Sequence, residues 1–132
     1  MSGHEEQASR FFNRGKDELQ SGDFESASNS LFYAKELYDK LGDKVNAAKC
    51  SLWLGHIYSE LKSLDKAAKS YRESFFLYKE SSHISKSAHA AISLGKLYRS
   101  QGQFNQSSDF LLKIIKLLND TKDYDILGDA YI

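Results

Sequence analysis

Set against itself with a shift of 40 residues, the sequence aligns with itself almost from end to end. Gly15, Gly55 and Gly95 superpose. So do Ala27 with Ala67, Ser30 with Ser70, Leu37 with Leu77, Tyr38 with Tyr78, Ala48 with Ala88, Leu54 with Leu94 and Tyr58 with Tyr98. Phe12, Leu52 and Ile92 form a conservative set, as do Phe24, Leu64 and Phe104. Chance aligns an occasional glycine. It does not align two tyrosines, several alanines and a Leu-Gly-x-x-Tyr string in one register. A chain built this way must stack copies of one small unit, because a single unit cannot bury its own apolar face.

Each unit reads as two amphipathic helices. In the middle unit Ala47, Ala48, Ser51, Leu54, Gly55 and Tyr58 recur at i, i+3, i+4 and i+7. Lys62-Ser63 breaks that pattern, and Leu64, Ala67, Ala68, Tyr71, Phe75 and Tyr78 mark one side of a second helix. Gly22-Asp23 and Gly102-Gln103 fall at the same break in the other units. The absence of proline leaves these helices free to run to their capping residues. Units are expected over about 5–41, 43–81 and 84–119, with a partial fourth over about 122–132, all in one domain spanning 1–132.

Leu54-Gly55-x-x-Tyr58, Ala67 and Tyr71, with Leu94-Gly95-x-x-Tyr98 in the same frame, resemble the tetratricopeptide repeat. The usual period of that family is about 34 residues. The period of 40 looks like the long-repeat variety of Pins/LGN-type adaptors. The resemblance implies an all-α fold, a right-handed superhelical stack of helix-turn-helix hairpins (an α-solenoid), and a protein-binding scaffold. Two departures stand out. Ser107 replaces Ala27 and Ala67, and Arg14 and Glu18 replace Leu54 and Tyr58, which places that pair at i, i+4 for a salt bridge.

Lysine plus arginine and aspartate plus glutamate number 18 each, so the formal net charge is zero. That argues against general nucleic-acid binding, which draws on a basic excess, and against a polybasic membrane-surface protein. The opening Met1–Glu6 has no apolar run, and nothing approaches about 18 consecutive apolar residues, so neither a secretory leader nor a membrane span is expected. The single Cys50 fits a reducing, cytoplasmic setting. No His-Glu-x-x-His, Cys-x-x-Cys or Walker loop occurs, so no enzyme, metal or cofactor is expected. Cys50 sits at a repeat core position and reads as a buried, inert thiol. Phe110–Leu118 is a strongly apolar stretch, and the register reads it as core rather than as a membrane-surface helix.

In the family resembled, the first helix of each unit lines a concave groove. Carrying that frame over gives Ser9, Asn13, Lys16 and Gln20, then Lys49, Trp53, His56 and Glu60, then His89, Ser93, Lys96 and Ser100, with Arg99 beside them. The stripe is polar apart from Trp53 and locally basic, so acidic segments of another protein, peptide or helix, are its expected ligands. Trp53, the only tryptophan, is either an exposed anchor or buried against the neighbouring unit. A chaperone-tail clamp is not expected, since only Lys16 matches the cations that such a site uses. Leu127-Gly128-x-x-Tyr131 starts a fourth unit, and the sequence ends at Ile132. An apolar helix lacking its mate points to the alternative role, a structural segment that forms homodimers through Leu127 and Tyr131.

Overall fold

The computed structural model describes residues 3–121, and among them every regular element is an α-helix. They are α1 Gly3–Gln20, α2 Phe24–Leu41, α3 Lys44–Glu60, α4 Leu64–Glu80, α5 Ile84–Ser100 and α6 Phe104–Thr121. Starts at Phe24, Leu64 and Phe104, and at Lys44 and Ile84, reproduce the period of 40 in space.

The turns share one design. Gly22, Gly42, Lys62, Ser82 and Gly102 all adopt positive φ, between 63° and 79°. In each turn the next residue donates its backbone N–H to the carbonyl five positions earlier, as Asp23 does to Glu18 and Ser63 to Tyr58. The positive-φ residue itself donates to the carbonyl three positions earlier. This is the Schellman closure, which satisfies carbonyls that a helix end otherwise leaves unpaired. The next helix starts at once: the Asp23 and Asp43 side chains accept from the N–H of Ser26 and Asn46. Half of each repeat is thus one helix and one tight turn, 20 residues long, and successive helices run antiparallel.

The closest backbone packing joins helices adjacent in sequence. The core is accordingly a row of small clusters. Ala8, Ala34, Tyr38, Ala47 and Cys50 form one, and Ala27, Leu31, Leu54 and Ile57 another. Ala67, Tyr71, Leu94 and Leu97 belong to a third, and Ala88, Ala91, Ile92 and Ile114 to a fourth. Alanine dominates because it lets helix backbones approach closely. This is an all-α helical-repeat solenoid. Ile114 of the apolar stretch is 1% exposed and packs in the fourth cluster with Leu111 and Ile115 beside it, so that face of α6 is core.

Ser107 is accommodated by donating its hydroxyl to the Gly95 carbonyl at 2.8 Å. The expected Arg14–Glu18 pair does not form. Glu18 turns inward to accept the Ser30 hydroxyl, and the Arg14 guanidinium lies 5.8 Å from the centroid of the Phe11 ring. An inter-helix hydrogen bond and a ring contact each outcompete an exposed i, i+4 ion pair, which contributes little.

Candidate protein-binding groove

Glycine at the Leu-Gly-x-x-Tyr position governs what the odd-numbered helices present. A methyl group on Gly55 would meet the Tyr71 ring at 2.5 Å. Its absence lets the Tyr71 ring, from α4, pack directly on the α3 backbone at Gly55, beside His56. There the Tyr71 hydroxyl and His56 Nδ1 are 2.7 Å apart, and the two rings meet edge to face at 5.3 Å. Partial burial of the ring against Tyr71 lowers the His56 pKa below its usual 6.5, so the imidazole is neutral near pH 7, and its tautomer sets the direction of the hydrogen bond with the Tyr71 hydroxyl. The Tyr71 phenol is pushed up to about 12, first by burial and then by the nearby Glu60 charge, so it stays protonated.

Two adjoining hollows share His56, Ser59 and Tyr71. Leu19, Phe24, Ile57 and Glu60 complete the first. Ser93, Lys96, Leu97 and Ser100 complete the second, which runs from α3 to α5. The structure therefore brings His56, Glu60 and Lys96 of the expected stripe together. It adds Tyr71 from an even-numbered helix, a residue whose periodic position marked it only as core.

Farther along, Lys16 of α1 and Lys49 of α3 converge on one aromatic ring. Their ammonium groups lie 5.8 Å and 5.0 Å from the Phe12 centroid. Both are exposed, and neither has a carboxylate partner among the described residues. Cations over an aromatic face are held at some energetic gain without being neutralised. Two of them around one ring make a seat for an incoming carboxylate.

The remaining stripe residues are placed as follows. Asn13 and Gln20 are exposed on α1, His89 and Arg99 on α5, and none is hydrogen-bonded or ion-paired to these groups through its side chain. Trp53 is half-buried, packed against the cluster of Ala27, Leu31, Leu54 and Ile57. Leu127 and Tyr131, the expected self-association pair, lie outside the described residues.

Cys50 is fully buried and its thiol is pushed up to about 12, chiefly by desolvation, which leaves it without thiolate reactivity at neutral pH. Among the described residues no group of three His, Cys, Asp or Glu side chains is placed to hold a metal ion, and no helix is long and apolar enough to cross a membrane. What the odd-helix face can do is offer cations, hydroxyls and one imidazole along a shallow trough.

The model of the soluble NSF attachment protein (SNAP) family matches residues 2–125. Two solved structures share the fold. BtubC (BKLC) from P. vanneervenii superposes with a TM-score of 0.76 at 18% identity, over 89% of this chain and 48% of BtubC. The chain thus spans about half the length of that protein. The TPR domain of Arabidopsis FLU superposes with a TM-score of 0.77 at 20% identity, over 89% of this chain and 98% of that domain. A search of curated proteins gives no match. The tetratricopeptide-like character is therefore shown, while the likeness to Pins/LGN-type adaptors rests on the repeat length alone.

Proposed function

The chain belongs to the soluble NSF attachment protein family, and from that premise we propose that it is a non-enzymatic scaffold that holds an acidic peptide or helix of another protein along its odd-numbered helices. Helical repeats of this class mediate protein–protein interaction through extended concave surfaces. The family is named for attachment of NSF; what we carry over is the class of partner, another protein. The role is that of a cytoplasmic adaptor, where the lone thiol of Cys50 stays reduced.

The observation that carries this reading is the convergence of Lys16 and Lys49 on Phe12 with no carboxylate of their own. Lys96 extends the positive potential along α5, and the two hollows that share His56 and Tyr71 reach from Leu19 of α1 to Lys96 of α5. Asn13, Gln20, His89 and Arg99 extend the contact surface, with Glu60 setting the register of the bound segment by repulsion. Trp53 supplies a half-buried wall.

Titration with a glutamate-rich peptide, followed by Trp53 emission, tests the reading. Lys16→Glu with Lys49→Glu is expected to weaken binding by roughly 1–3 kcal/mol, about fivefold to a hundredfold in Kd. Wild-type affinity is expected to fall as salt rises. Unchanged affinity in a folded double variant removes the basic-groove reading and leaves the family assignment untouched.

A further inference from the structure

The large exposed apolar side chains are unevenly shared between the two sets of helices. Phe32 (45% exposed) and Tyr33 (55%) lie on α2, Phe76 (52%) on α4 and Leu112 (64%) on α6, while on the odd-numbered side the described residues add Leu61 (36%), which caps the C-terminus of α3. Phe32 and Phe76 border a continuous trench between α2 and α4. Lys35, Lys69 and Glu73 line both of its halves. Its floor is pinned by Lys35, whose ammonium lies 2.9 Å from Asp39 and 3.3 Å from Glu73.

Charge in the trench is one-sided. Asp39 and Glu73 are its carboxylates, and Lys35 takes both. Lys66, Lys69 and Arg72 follow one another at three-residue intervals along α4, all exposed. None has a carboxylate partner among the described residues. Lys66 lies over the Tyr58 ring at 5.6 Å, and Arg72 reaches only the Tyr98 hydroxyl at 3.3 Å. The trench thus combines two aromatic edges with a row of unneutralised cations.

The spacing suits a helix. Helices α2 and α4 run in the same direction, and the Lys35–Glu73 contact brings those two residues alongside each other. Phe32 lies three residues before Lys35, and Phe76 three after Glu73. At about 1.5 Å per residue those six steps offset the Phe32 and Phe76 positions by roughly 9 Å along the trench, between one and a half and two helical turns. Apolar residues at i and i+7 of a guest helix meet that offset, and acidic residues on its flank then face Lys66, Lys69 and Arg72.

We propose that the α2–α4 trench is a second docking surface, on the even-helix side of the solenoid, and that its occupant is an amphipathic acidic helix of a partner protein. It is independent of the odd-helix groove and allows two protein segments to be held at once.

The test is amide-shift mapping on the isotope-labelled full chain. The probe is a synthetic helix of roughly 18 residues with leucines seven apart and glutamates beside them. Its control twin carries lysine for every glutamate. The expected shifts centre on Phe32, Lys69 and Phe76, with Trp53 emission unmoved and no shifts from the twin. Phe32→Ser, Phe76→Ser and the Lys69→Glu, Arg72→Glu pair are each expected to weaken binding about tenfold or more. Lys16→Glu with Lys49→Glu should leave it unchanged, which separates this surface from the groove. All these positions are exposed, and circular dichroism checks each fold. Shifts centred on Lys49 and Trp53, equal binding of the twin, or no shift at millimolar peptide overturn the proposal. It is also overturned if Phe76→Ser abolishes concentration-dependent self-association seen by sedimentation, or if Phe32→Ser abolishes binding to phosphatidylserine vesicles.

Discussion

Gly55 and Gly95 occupy one repeat position and face different neighbours. A methyl at Gly55 would strike the Tyr71 ring at 2.5 Å, whereas at Gly95 it would rest 3.4 Å from Leu111. Gly55→Ala is therefore expected to destabilise by about 1–3 kcal/mol through overpacking. Gly95→Ala is expected to stabilise by up to about 1 kcal/mol, because alanine is the better helix former. Urea melts of the two variants compare the signs directly. His56 makes a second prediction at this scale. Its folded pKa lies below 6.5 because burial disfavours the imidazolium. As pH falls, the unfolded chain takes up the proton first. Stability from this group is therefore complete above about 6.5 and declines as pH drops through the folded value. Thermal melts from pH 7.5 to 5 are expected to show that decline, and His56→Gln is expected to flatten it.

Five helix junctions share the Schellman closure, yet two of them carry a side chain at positive φ, Lys62 at 63° and Ser82 at 65°. A Cβ in the left-handed region is strained by its own backbone. Ser82 and Gly42 are repeat mates, and a methyl on Gly42 would touch nothing within 4 Å. The pair therefore isolates the backbone contribution. Ser82→Gly is expected to stabilise by roughly 0.5–1 kcal/mol and Gly42→Ala to destabilise by about 1 kcal/mol. Calorimetric melting temperatures check both. Helices with shared turns but different capping residues hold the same frame because the turn hydrogen bonds are between backbone groups.

Because the closest backbone packing joins helices adjacent in sequence, with side-chain contacts such as Lys35–Glu73 and Lys49–Phe12 reaching one helix further, the molecule behaves as a one-dimensional stack of short-range contacts. Damage at one end is then expected to stay there. Ile114 is 1% exposed in the cluster that joins α5 to α6. Ile114→Ala is expected to cost about 2–4 kcal/mol of local stability. Hydrogen exchange should quicken in α5 and α6 while the amides of α1 and α2 keep their protection. Uniform loss of protection along the chain overturns the nearest-neighbour account. The two-faced distribution of surface chemistry also belongs to this scale: cations around Phe12 on one side, and exposed aromatics edging a basic trench on the other.

The 40-residue register by itself determined the helix count per unit, the breaks between helices, and which positions are core, because period and turn chemistry are local properties that each copy repeats. It also placed Lys16, Lys49, His56 and Lys96 on one set of helices. It did not show that Tyr71 packs on Gly55 beside His56, that Glu18 abandons Arg14 for Ser30, or that Lys35 clasps Asp39 and Glu73 between two helices. Those contacts join residues on different helices, and their partners are set by how closely the backbones approach. Only the packed structure decides that distance, and at Gly15 and Gly55 it turns on the absence of a single Cβ atom.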